Sequence, residues 1–236
     1  LQACQRCALT GLKVLYVTAE ESEAQIKLRA QRLVPTADSM WVYAQTNMAS
    51  IIQECERVQP DIILLDSIQV VHHPELTALE GTVSQVRHCA STLIQWVKTH
   101  HKSAIMIGHI TKDGHIAGPK VLEHLVDVIL YLEGDRHFYH RILRCKKNRY
   151  GSTDNSGIFE MKETGLEPLP EHAQSFVEHA HQGVPGSVVV PYAEGNRIIL
   201  VEVQALVVQS GYGMGKRNFV GVNSNRAHLL IAALDK

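Results

Sequence analysis

The chain has 236 residues, of which 45% are hydrophobic and 20% charged, with a net charge of −1 and a pI near 7.0. These values lie in the globular range and leave room for one large or two ordinary domains. They exclude a chain that is basic throughout, so any nucleic-acid footprint must be local. No apolar run reaches the ~18 residues that a membrane span needs, and no signal-peptide pattern opens the chain. The five cysteines (Cys4, Cys7, Cys55, Cys89 and Cys145) are odd in number and mostly fall in helical or strand patterns. They read as reduced thiols of a cytoplasmic protein.

Residues 1–9 (LQACQRCAL) predict the rear of a helix stopped by Gly11. Cys4 and Cys7 form a C-x-x-C on one helix face with no second pair nearby. Helix packing explains them more simply than zinc or redox work. Lys13 to Thr18 (KVLYVT) predicts a buried strand, followed by Glu20 and Glu21. Ser22 caps a helix over 22–33. Trp41 to Ala44 is a short strand and 48–58 a helix. Asp61 to Asp66 (DIILLD) is an apolar run closed by an acid, the pattern of a central strand covered on both faces.

A long helix is expected over 82–100, a strand over Ser103 to Gly108, a polar loop over 109–119 and a short helix over 120–126. Val128 to Leu132 and Phe138 to Cys145 predict two further strands, joined at Gly134-Asp135. Alternating strands and helices imply a mostly parallel doubly wound sheet, with ligands at the carboxyl ends of its strands. On this reading those ends hold Glu20, Asp66, His109 and Lys147. The stretch from Lys162 to Pro170, with Gly165, Pro168 and Pro170, has linker composition. Beyond it, Gly186 to Pro191, Arg197 to Gln209 and Asn218 to Val222 look like strands, and 224–235 like a helix.

The chemistry expected at those strand ends is that of a nucleotide triphosphatase. Asp66 suits Mg²⁺ held through water; taken alone, it fits a helix-capping Asp equally well. Glu20 is placed to polarise a water, although alone it would read as a solvated loop acid. His109 offers a polar tip at the same edge. Lys147 and Arg149 straddle Asn148, with Tyr150 and Gly151 behind; fixed cations of this kind suit the charge of a transferring phosphoryl group, although the triplet alone reads more simply as a solvated basic turn. No G-x-x-x-x-G-K-[ST] loop occurs within these 236 residues. His72-His73, His100-His101 and His179 to His181 lack acids or cysteines at ligand spacing and read as surface histidines.

Four stretches then carry a resemblance: YVTAEES (16–22), DIILLDSIQ (61–69), IGHITKDGHIAGPKVLEHLVDVILYLEG (107–134) and KNRYGSTDNSGIFEM (147–161). With them the chain resembles the bacterial RadA (Sms) family of RecA-like recombination and repair ATPases. Tyr150 stands where the family's KNRFG signature has Phe. The likeness continues through GSVVVPYAEGNRIILVEVQALV (186–207) and NSNRAHLLIAALDK (223–236), which look like the opening of the family's Lon-protease-like domain.

The resemblance implies a RecA-like core over 1–164, a doubly wound mostly parallel sheet, followed by a partial Lon-protease-like α+β domain over 165–236. It implies an ATP- and Mg²⁺-dependent, single-stranded-DNA-stimulated motor of homologous recombination and DNA repair, acting in branch migration. The alternative within the same fold is a non-catalytic DNA-binding ring or scaffold. Glu20 would activate water, Asp66 would associate with Mg²⁺ through water, and His109 would sense the γ-phosphate. Lys147 and Arg149 would reach the ATP of the neighbouring subunit in a hexameric ring. The loops at about 68–81 and 111–119 would face DNA, with Lys112 and Lys120 on phosphates; as bare residues those two lysines read equally as surface charge. Implied partners are single-stranded and branched DNA, further copies of the chain, the RecA recombinase and a replicative-helicase-like interplay, with no membrane. The family's four-Cys zinc finger and phosphate-binding loop precede such a core, so zinc is expected only in that finger. The chain therefore reads as a central fragment, inactive by itself.

Overall fold

The computed structural model describes residues 1–33, 37–109, 119–134, 140–169, 185–209 and 216–234. Two compact units divide it: Leu1–Ala173 with Ala193–Ile198, and Gln174–Tyr192 with Ile199–Lys236.

The first unit is built on a four-stranded parallel sheet ordered β2-β1-β3-β4. Its strands are β1 (Val14–Thr18), β2 (Met40–Ala44), β3 (Ile62–Asp66) and β4 (Ser103–Met106). Every residue of β1 is buried, as a strand sandwiched between two helical layers requires. Alternate residues serve opposite faces. Val14, Tyr16 and Leu64 join Cys4, Ala8 and Ile26 in one core, from helices α1 (Gln2–Leu9) and α2 (Glu23–Leu33). Leu15, Val17, Ile63 and Leu65 join Met48, Ile51, Cys55, Cys89, Leu93 and Trp96 in the other, from helices α3 (Met48–Val58) and α4 (Val83–Thr99). Burial pushes the Cys4 thiol up, and carries those of Cys55 and Cys89 to about 12 and about 11. They stay protonated and act as small apolar groups.

Local signals set the helix ends. Ser22 and Gln25 form a reciprocal capping box, with Gln25 Oε1 accepting from Ser22 N at 2.9 Å. Asn47 caps α3 by accepting from Ala49 N and Ser50 N. Gly11, just past α1, takes φ +90°. Asp61 ties the opposite edge of the sheet together, accepting from Lys13 N at 3.0 Å and from Lys102 Nζ at 2.8 Å.

The strands after helix α5 (Pro119–Glu123) depart from the expected single sheet. β5 (Val128–Gly134), β6 (His140–Asn148), β7 (Ser156–Lys162) and β8 (Gly165–Pro168) form a second, antiparallel sheet in sequential order. The reason is connection length: only 135–139 join β5 to β6, whereas a parallel crossover takes about a dozen residues or more. The linker-like run from Lys162 to Pro170 is largely a hairpin. Lys162 pairs with Gly165 (φ +109°), and Pro168 sits on edge strand β8. Turn and linker share the same Gly and Pro signals.

β9 (Ser187–Glu194) and β10 (Arg197–Gln204) pair as a two-stranded sheet, their turn at Gly195-Asn196 belonging to the first unit, and Ser224–Leu234 of the second unit forms α6. Residues 218–222, expected as a strand, are irregular. Among the described residues no helix is long and apolar enough to cross a membrane.

Candidate functional site

β1 and β3 run side by side in register, with Thr18 opposite Asp66, so both strands end at one level. Ala19 N donates to Asp66 O at 2.7 Å and carries this alignment one residue further. β4 leaves the sheet beside them, with Ile107 N on Leu65 O at 2.9 Å and Ile68 N on Ile107 O at 3.0 Å. This register brings Glu20, Asp66 and His109 to one edge.

Their side chains are organised by neighbours. The fully buried Ser67 donates its hydroxyl to Glu20 Oε1. His109 Nε2 lies 3.3 Å from the same carboxylate oxygen. Gln69 Nε2 donates to the His109 carbonyl at 3.2 Å, packing over Gly108. A Cβ at Gly108 would sit 3.4 Å from that nitrogen, in contact with the Gln69 amide. Asp66 Oδ2 accepts from the Tyr16 hydroxyl at 2.7 Å. Burial, followed by the bond to Asp66, raises the Tyr16 pKa well above that of a free phenol. Tyr16 is therefore a fixed donor at neutral pH, and Asp66 Oδ1 is left without a protein partner among the described residues.

Ser67, Gln69 and Tyr16 escaped the sequence reading. Ser67 directly follows the strand-closing acid and Tyr16 lies two residues before Thr18, yet only the β1–β3 register shows which groups they meet.

Neither Glu20 nor Asp66 carries a Lys or Arg partner among the described residues. Asp66 would suit Mg²⁺ held through water, an ion that takes one or two carboxylates and completes its shell with water and phosphate oxygens. Among the described residues no group of three or more His, Cys, Asp or Glu could hold a metal.

Lys147 and Arg149 stand elsewhere than the sequence suggested. Their strand end belongs to the antiparallel sheet, and both cations are engaged. Lys147 Nζ donates to the carbonyls of Glu123 and Val126 at 2.7 Å each, capping the end of α5. Arg149 Nη1 pairs with Asp127 Oδ1 at 3.0 Å and remains largely exposed. Asn148 Oδ1 accepts from Tyr150 N at 3.0 Å and holds the turn, leaving Tyr150 projecting into solvent. Lys112 lies outside the described residues. Lys120 is on α5, with its side chain outside them. The loop at 68–81 opens with a 3-10 turn over Ile68–Val70, whereas 111–118 falls outside the described residues. Two of the His pairs have protein partners: His72 Nδ1 lies 3.1 Å from Glu80, and His100 stacks on Trp96. His179 to His181 lie outside the described residues.

The chain is 45% identical over all its 236 residues to the DNA repair protein RadA of Listeria monocytogenes. It is 48% identical over 223 residues, 94% of its length, to that of Streptococcus pneumoniae, and 46% identical over its whole length to that of Halalkalibacterium halodurans. The chain belongs to the RadA family. It spans about half the length of these RadA relatives, 52% of the Listeria protein and 53% of the pneumococcal one. No protein-family model matches it. A KaiC-like protein from the archaeon Pyrococcus horikoshii superposes with a TM-score of 0.55, over 71% of this chain and 80% of that one, at 14% identity. That likeness shows the fold, and the RadA stretch is accordingly of the RecA-like α/β type.

Proposed function

We propose that this chain supplies the water-activating half of an ATPase, and that the whole protein is a single-stranded-DNA-stimulated motor of recombination and repair. The observation that carries the reading is the carboxyl edge of the parallel sheet. Glu20 is held there by Ser67 with His109 3.3 Å away, beside an Asp66 whose second oxygen has no protein partner among the described residues. In this reading Glu20 accepts a proton from the attacking water. Asp66, steadied by Tyr16, would hold Mg²⁺ through water, and that ion would supply neutralisation of phosphate charge. His109 occupies the position from which a γ-phosphate would be sensed, and Gln69 couples its backbone to the loop that follows β3.

Lys147 and Arg149 act across a subunit boundary in a hexameric ring. In the isolated chain Lys147 caps α5, and an ammonium with three donors has one left for a phosphate oxygen. The loops at 68–81 and 111–119, with Lys112 and Lys120, face DNA. Residues 165–236 open a Lon-protease-like domain that serves the ring as a platform, and the protein works in the cytoplasm.

The test is ATP turnover by the full-length protein, with and without single-stranded DNA, beside Glu20→Gln. Removing a positioned general base costs about 10²–10⁴-fold in rate. Turnover in Glu20→Gln within a few fold of the parent would reject the assignment. DNA binding with no turnover in either protein would support the scaffold alternative.

A further inference from the structure

The loop that leaves the site after β3 is held at one central point. Its first part is tied to the start of α3: His72 N donates to Thr46 O, and Met48 N to His72 O, each at 2.9 Å. Its middle is tied to α4 by one side chain. Gln85 is 1% exposed, and its amide is fully used. Its Oε1 accepts from His73 N at 2.9 Å, while its Nε2 donates to Leu76 O at 3.3 Å and to Ala78 O at 2.8 Å. One amide therefore closes three backbone positions of a segment that has no regular secondary structure. Leu or Met, of similar size, would fill this buried position of α4. Neither could supply one acceptor and two donors to a loop.

We infer that Gln85 is a positioning residue for the DNA response, shaping segment 73–78 before DNA arrives. This rests on the proposal that the loop at 68–81 faces DNA. A loop already ordered pays no backbone entropy on binding, whereas a loosened one must be ordered by the ligand. Gln85 touches neither Glu20 nor Asp66, so DNA-free turnover does not depend on it.

The experiment uses the full-length protein with Gln85→Glu and Gln85→Leu. Glu keeps the acceptor for His73 N–H but sets a carboxylate against two carbonyls. Leu removes all three bonds at similar size. The readouts are anisotropy of a fluorescein-labelled oligothymidylate, ATP turnover with and without it, and hydrogen exchange by peptide. The expected result is about a tenfold rise in the half-saturating oligonucleotide concentration in both variants, the scale of ordering about one residue. Faster exchange is expected at 73–78, with unchanged exchange in β1 and β3 and basal turnover retained. Unaltered oligonucleotide affinity despite faster exchange at 73–78 would overturn the inference. So would a proportional fall of basal and stimulated turnover together with protection lost in β1 and β3, which would make Gln85 a residue of the fold alone. A parent protein that ignores the oligonucleotide would overturn the DNA reading itself, and the inference with it; that outcome is read in the parent before any variant.

Discussion

Tyr16→Phe tests how firmly the Asp66 carboxylate is held. The substitution deletes one oxygen from a side chain that is 1% exposed, and with it the 2.7 Å bond to Asp66 Oδ2. The ring keeps its place between Val14, Leu64 and Ile26. Packing is therefore conserved, and the loss is that of a hydrogen bond to a charged acceptor, about 1.5–3 kcal/mol. Urea unfolding of the chain measures it as a lower midpoint at unchanged slope. The pH dependence gives an independent check. The folded Tyr16 pKa lies above that of the unfolded phenol, about 10. Its contribution is therefore complete below about pH 10 and is lost as pH rises through and beyond that value. The parent should lose stability steeply above about pH 10, and Tyr16→Phe should lose less. In the full-length protein the same change should raise the Mg²⁺ concentration needed for half-maximal turnover, because Asp66 is no longer fixed. A urea midpoint and alkaline limb identical to the parent's would refute the reasoning from the Tyr16–Asp66 bond.

Three further variants have expected outcomes. Lys147→Ala should leave ring assembly intact and abolish DNA-stimulated hydrolysis; sedimentation and turnover read the two effects, and unchanged turnover would refute a cross-subunit cation. Because Lys147 also caps α5, its loss should speed hydrogen exchange at 122–126 in the isolated chain. Ser67→Ala should lower turnover about tenfold or more with little change in KM for ATP, since it frees the Glu20 carboxylate from a charge-assisted bond. Asp61→Asn should flatten the acid limb of stability. The Lys102 ammonium and the Lys13 amide hold the Asp61 carboxyl below its ordinary value, so its contribution is present above about pH 4 and is lost as pH falls below that; matching acid limbs in the two proteins would reject that clamp.

Much of the core was legible because its signals are local. The run DIILLD closes in an acid at the sheet edge, Ser22 caps its helix as its chemistry demands, and Gly11 adopts the positive φ that ends α1. The edge placement of Glu20, Asp66 and His109 followed from strand ends alone. Lys147 did not follow. Its strand pattern was visible, but the sheet to which it belongs was set by the shortness of the connection at 135–139. Its partners, Glu123 and Val126, lie more than twenty positions away.

By itself, then, the sequence determined the strands and helices of the parallel core, the acids that close its strands and the family the chain resembles. These depend on side-chain period, caps and turns within a few residues, where neighbours along the chain are also neighbours in space. Only the tertiary structure decided that Ser67 holds Glu20, that Tyr16 holds Asp66, that Gln69 reaches His109 and that Gln85 fastens the loop before α4. Except for Gln85, twelve or fewer residues from its partners, these bonds join groups forty or more residues apart. They exist because parallel pairing of β1, β3 and β4 sets three strand ends at one level, and no propensity carried by a single segment encodes that register.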